Sequence, residues 1–135
     1  MPVYILDTNH VGMAVDRTSR VGRRIFEARL AGVRLGTCLP VLCEIEAGIQ
    51  QVRHKAKYRR DLKHLMLQLR LWPIDLKTTQ IYGELYMELR RRGRILSQVD
   101  LMVAALARQS KLTVLTTDRD FDALPDLRTA DWSEP

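Results

Sequence analysis

Val3-Tyr4-Ile5-Leu6-Asp7-Thr8-Asn9 is a short apolar run, with β-branched and aromatic members, that stops at an acid. Such a run reads as a buried strand, with Asp7 at its carboxyl end. Far along the chain the pattern returns. Lys111 to Leu115 reads as another strand and leads into Thr116-Thr117-Asp118. If both strands lie in one parallel sheet, their carboxyl ends open on the same edge, where ligand crevices form in α/β folds. Two acids distant in sequence then face one crevice.

The stretch between carries helical spacing. Val21, Ile25, Ala28 and Leu30 mark a helix over residues 17–31, with Gly32 as its stop. Val33 to Thr37 is a second strand. Pro40 suits the first turn of the next helix, where a missing N–H costs nothing; that helix carries Val41, Leu42, Ile45, Ile49 and Val52. Tyr58, Leu62, Leu65 and Leu69 mark a helix over residues 55–70. Trp72-Pro73-Ile74-Asp75 reads as a short strand or strand edge. Ile81, Tyr82, Leu85, Tyr86 and Leu89 form an amphipathic stripe that Gly93 breaks. Ser97-Gln98-Val99-Asp100 has capping-box spacing, with Asp in place of Glu or Gln. The run Leu101 to Ala107 is apolar nearly all round, so its helix should be central and buried. A short helix with Phe121 and Leu124 and a last strand near 127–130 follow. Strands alternating with helices predict a three-layer α/β/α sandwich around a central, mainly parallel sheet.

At 135 residues one domain, residues 1–135, is expected. Hydrophobic residues make up 46% and charged residues 28%, an ordinary globular balance. Lys and Arg number 22 against 16 Asp and Glu, a net charge of +6, which fits a polyanionic partner and equally a merely soluble surface. The two cysteines, Cys38 and Cys43, are too few for a secreted disulfide scaffold and lack the other ligands of a zinc site. Two buried, reduced thiols are expected. MPVYILDTNH has no basic leader, and the apolar run Leu101 to Ala107 is too short to span a membrane. A cytoplasmic protein without membrane contact is the resulting expectation.

Two further acids stand out. Asp100 sits in the first turn of the buried helix. By itself that is an ordinary helix-start position, but an acid on so apolar a helix needs partners or a metal. Glu44 is mid-helix, with Gly48 one turn on along the same face. A helical glycine costs about 1 kcal/mol relative to alanine, and close packing or an approaching ligand would explain it. Glu46 points elsewhere. Converging carboxylates raise one another's pKa values, and a divalent cation removes the conflict. Oxygen ligands without histidine or cysteine favour Mg²⁺ or Mn²⁺ over zinc. Thr8, Asn9 and Thr117 either orient these acids or are plain turn residues.

YILDTN, EIEAG, DLMVAALA and LTTDRDF, in that order, resemble the motifs of a PIN domain, in particular of the VapC-type toxins of bacterial toxin–antitoxin pairs. The resemblance spans nearly the whole chain. It marks Asp7, Glu44, Asp100 and Asp118 as catalytic and metal-binding acids. Ile45 and Val103 stand where the family pattern has Leu and Ile, and Asp120 lies close enough to Asp118 to compete with it or share its role. The resemblance implies an Mg²⁺- or Mn²⁺-dependent endoribonuclease that cuts structured RNA, tRNA or rRNA. It also implies a homodimer and a cognate antitoxin protein. Arg90, Arg91, Arg92 and Arg94 precede the Asp100 helix and are candidate RNA contacts or a solvated helix face.

Other readings stay in view. A PIN-like module without catalysis would bind RNA or a partner with the same fold. An aspartyl-phosphate enzyme of the haloacid-dehalogenase type would want a second acid two residues after Asp7, where Asn9 stands. A response-regulator receiver needs paired acids near its first strand, which this chain lacks.

Overall fold

Every strand pair is parallel. The computed structural model describes residues 1–135, and its elements run β1 (Tyr4–Leu6), α1 (Thr8–Ala14), α2 (Arg20–Leu30), β2 (Leu35–Thr37), α3 (Leu39–Ile49), α4 (Lys55–Met66), β3 (Arg70–Leu71), α5 (Leu76–Arg91), α6 (Gln98–Ser110), β4 (Thr113–Leu115), a 3₁₀ turn (Arg119–Ala123) and β5 (Thr129–Ala130). The sheet has five strands in the order β3-β2-β1-β4-β5. The chain steps outward from β1 to β2 and β3, then crosses to β4 and β5. With right-handed crossovers that reversal puts helices on both faces, the expected α/β/α sandwich. It also makes the β1/β4 seam the switch point, where crevices open at the carboxyl ends of strands.

The core is centred on β1, β4 and α6. Ile5, Leu6, Val114 and Leu115 are fully buried, as are Val103, Ala104 and Ala105 of α6. The apolar run is thus the central helix anticipated from sequence, with α5 packed along it. Ser97 caps α6 by accepting from the Asp100 N–H. A reciprocal capping box forms instead at α5, between Asp75 and Thr78.

Several expectations need correction. β3 lies at Arg70–Leu71, ahead of the Trp72–Asp75 stretch, because Asp75 is taken up as the cap of α5. The DTN stretch opens a helix, α1, that its polar start concealed. Cys38 is buried but Cys43 is exposed. Gly48 is not close-packed: a Cβ there would meet nothing within 4 Å. The close-packed glycines are Gly22, where a Cβ would lie 2.6 Å from the Asp16 carbonyl, and Gly36 of β2, where it would lie 2.5 Å from the Arg70 carbonyl and 2.6 Å from the Trp72 indole nitrogen.

One polar tie crosses the core. His10 on α1 is 0% exposed. Its Nε2 accepts from the Trp132 backbone N–H at 3.0 Å, so Nε2 carries no proton. Nδ1 then donates to the Asn9 side-chain oxygen at 2.8 Å. Trp132 packs against Tyr4 with ring centroids 4.9 Å apart, and the Arg24 guanidinium lies 5.1 Å over its ring. Burial, with a smaller push from Arg24 and against the pull of Asp131, lowers the His10 pKa from 6.5 to about 4.

Gly36→Ala should destabilise the fold by about 1–3 kcal/mol through overpacking, whereas Gly48→Ala should stabilise it by up to about 1 kcal/mol through helix propensity, both read by urea denaturation. A second expectation concerns pH. Below pH 6.5 the unfolded chain protonates His10 and the folded chain does not, so this stability is present at pH 7 and lost as pH falls towards 4. The loss attributable to His10, taken as the difference between parent and His10→Gln denaturation curves from pH 7 to 4, should reach about 3 kcal/mol.

Candidate active site

Asp7 follows β1 directly, and its N–H pairs with the Leu115 carbonyl at 3.0 Å, continuing the β1/β4 ladder by one step. Its carboxylate is therefore carried out on the seam. Asp7 is 3% exposed, and its two oxygens have different surroundings. Oδ2 accepts from the Thr116 hydroxyl at 2.8 Å and from the Asn9 amide at 3.3 Å. Oδ1 is buried and has no hydrogen-bond partner. An unpaired buried carboxylate oxygen is costly, so its environment carries a demand for a positive or donating group.

The remaining acids arrive from different elements. Asp100 sits in the first turn of α6. Asp118 follows β4 and caps the 3₁₀ turn, its Oδ1 accepting from the Asp120 N–H at 2.8 Å. Glu44, on the exposed side of α3, accepts from the Thr8 hydroxyl. Their charges act on one another. Burial raises the Asp7 pKa, against the pull of the Thr8 backbone N–H and the Thr116 hydroxyl, and Asp118 and Glu44 push it further. Burial also raises Asp100, to about 7, with Asp7, Asp118 and Glu44 adding repulsion. Asp118, and not Asp120, is the acid whose charge reaches Asp7 and Asp100; Asp120 contributes a backbone donor and points to solvent.

No three of the acidic, histidine or cysteine side chains stand close enough together to close on an ion as they are. Uncompensated like charges hold such groups apart, and Glu44 is turned to Thr8.

The supporting residues differ in part from those expected. Asn9 is a junction: its Nδ2 donates to Asp7 and, at 3.2 Å, to Thr116 Oγ1, while its Oδ1 accepts from the Thr117 N–H at 3.1 Å. Thr8 orients Glu44 rather than Asp7. Thr117 contributes only its backbone, with its side chain exposed. The hydroxyl that matters is that of Thr116, missed from sequence, which donates to Asp7 and accepts from the Asp118 N–H at 2.9 Å. One signal could have found it: Thr116 is the polar residue placed directly where β4 leaves the sheet beside Asp7.

The four arginines do not form one surface. Arg92 donates to the Ala123 carbonyl at 2.7 Å and pairs with Glu88, so it ties α5 to the turn after Asp118. Arg90 donates to the Tyr86 hydroxyl at 3.3 Å. Arg90 and Arg94 also border an apolar groove lined by Tyr86, Leu89, Ile95 and Leu96 beside α6. Arg91 is exposed.

Known proteins are similar to this chain in sequence and in fold. The model of the PIN domain family matches residues 4–127. Ribonuclease VapC2 of Rickettsia felis is 26% identical over 133 residues, covering 98% of this chain and 99% of the relative. A tRNA(fMet)-specific endonuclease VapC of Shigella flexneri is 40% identical over 52 residues, 38% of this chain and 39% of the relative. Among solved structures, VapBC2 from Rickettsia felis bound to a promoter DNA fragment superposes with a TM-score of 0.86 at 25% identity, covering 96% of this chain and 98% of that one. With a family match that runs from β1 to beyond the 3₁₀ turn and takes in all four acids of the crevice, the chain belongs to the PIN domain family.

Proposed function

We propose that this PIN domain is an Mg²⁺- or Mn²⁺-dependent endoribonuclease acting on structured RNA, and the toxin of a type II toxin–antitoxin pair. The observation that carries the metal reading is the unpartnered, buried Asp7 Oδ1. The nearby acids add to the raised pKa values of Asp7 and Asp100, and the donor set is all oxygen, which suits a hard divalent cation. Asp7, Asp100 and Asp118 would hold the ion, with Glu44 completing the set once released from Thr8.

A divalent cation there would stabilise charge on phosphate oxygens and lower the pKa of an attacking water. The chain's own residues do the rest. Thr116 and Asn9 fix Asp7 Oδ2 and so hold the carboxylate in one orientation. Thr116 also holds the Asp118 backbone, keeping the second strand-end acid in register with the first. The basic remainder of the chain, at a net +6, attracts the phosphate backbone that the acids alone would repel. The ribonuclease and endonuclease names of the relatives support the reaction class, and the Shigella flexneri relative favours tRNA over rRNA.

The antitoxin reading is supported by the likeness to a VapBC structure. It is also supported by the apolar groove beside α6, where Ile95 is 88% exposed. A homodimer and a cytoplasmic setting complete the proposal. No helix is long and apolar enough to cross a membrane.

Asp7→Asn should abolish Mn²⁺-dependent RNA cleavage, and chelation should do the same to the parent, reversibly on adding Mn²⁺. Equal cleavage by parent and variant, or chelator-resistant cleavage, would refute the metal mechanism. Sequencing RNA 5′ ends after brief induction, in parent and Asp7→Asn, should reveal cuts unique to the parent and name the RNA.

The arginines should divide. If Arg91 or Arg94 neutralises an RNA phosphate, its replacement by Ala should flatten the salt dependence of binding by about one unit. Arg92→Ala should instead cost about 1 kcal/mol of stability, since its bonds are internal and partly exposed.

A further inference from the structure

We propose that His10 is a positioning residue for Asp7, acting through Asn9, and that the C-terminal segment around Trp132 sets the state of the imidazole that does so. The proposal rests on the metal reading above.

The chain of bonds leaves little freedom. The Thr117 backbone N–H can only donate, so the Asn9 atom facing it is the oxygen. The Asn9 amide nitrogen therefore faces Asp7 Oδ2 and Thr116 Oγ1. The same oxygen faces His10 Nδ1 at 2.8 Å, which requires a proton on Nδ1. The Trp132 N–H, also a fixed donor, requires the lone pair on Nε2. Two backbone donors at opposite ends thus select one neutral tautomer and one amide orientation.

With the proton moved to Nε2, the imidazole would meet the Trp132 N–H donor to donor and turn a lone pair on the Asn9 oxygen. The Asn9 amide would lose its anchor, and Asp7 Oδ2 one of its two donors. The Asp7 carboxylate, and with it the unpartnered Oδ1, would then be held less firmly. Residues that orient a metal-binding side chain in this manner change metal affinity by about 10–100-fold when replaced.

The C-terminal segment is built to hold its end. Trp132 is clasped between Tyr4 and Arg24. Asp131 Oδ1 lies 3.5 Å from His10 Nε2, beyond hydrogen-bond length, and is taken up by accepting from the N–H and hydroxyl of Ser133 at 2.8 and 2.6 Å. Arg24 donates to the Glu134 carbonyl at 3.4 Å. The segment after β5 therefore reaches the crevice through His10 without touching it.

Two substitutions separate positioning from mere support. His10→Asn keeps a donor where Nδ1 lies and loses the acceptor for Trp132. His10→Gln keeps an acceptor near Nε2 and loses the donor to Asn9. Titrating each full-length chain with Mn²⁺ by calorimetry, beside a metal-free melting curve, reads both effects. We expect His10→Gln to melt close to the parent but bind Mn²⁺ about tenfold more weakly, and His10→Asn to melt lower yet bind within about threefold of the parent.

Affinity that falls in step with melting temperature in both variants, or affinity unchanged in both, overturns the proposal. The parent gives a test that needs no variant: ¹⁵N spectroscopy of the imidazole should place the proton on Nδ1, and a proton on Nε2 overturns it. Asp7→Asn run alongside separates the two layers. If that variant binds Mn²⁺ like the parent, the metal reading fails; if it loses binding while His10→Gln does not, only the positioning role fails.

Discussion

Burying a carboxylate at the end of the central strand is the constraint on which the rest of the molecule turns. Asp7 leaves β1 at the one seam where the sheet reverses direction, and parallel pairing with β4 brings Thr116 and Asp118 to the same edge. Burial of a charge is tolerated only with compensating groups. Here one oxygen has them and the other does not. Thr116 and Asn9 donate to the first oxygen, His10 and Trp132 are linked in turn behind Asn9, and the second oxygen has no partner.

On the proposed metal reading, that asymmetry belongs to a working site and not to a decayed one. A module that kept the fold for packing or partner binding would gain from filling the crevice with apolar or amide side chains, because the mutual repulsion seen at Asp7 and Asp100 works against folding. Strain of this kind persists where function needs it. The acids stand apart rather than in a closed ligand set, in keeping with groups whose repulsion is relieved when a cation enters.

The sheet and its central helix were legible because their signals are local. Tyr4–Leu6 and Thr113–Leu115 are apolar runs that end in polar residues, and Leu101–Ala107 is too apolar to lie anywhere but the centre. The convergence of Asp7 and Asp118 needed only the inference that two such strands run parallel. What stayed hidden depends on partners far away in sequence. α1 begins in polar residues whose real task is to bond across to the end of β4 and to α3. Gly36 matters because Trp72 packs over it, and Gly48, which looked significant by periodicity, faces open space. Arg92 reads as part of a basic run, yet its partners Glu88 and Ala123 make it an internal tie.

The same non-locality explains why sequence points to Thr117 and passes over Thr116. Both precede Asp118, and composition does not separate them. The register of β1 against β4 does, since Leu6 pairs with Leu115, so the next residues, Asp7 and Thr116, emerge side by side. Thr117 is one step further on and faces solvent. A hydroxyl between two strand-end acids can donate to one and accept from the backbone of the other, which a carboxylate or an apolar side chain there could not do. Thr116 thus converts the pairing of two strands into the alignment of two acids, and the geometry of the crevice follows from the register of the sheet.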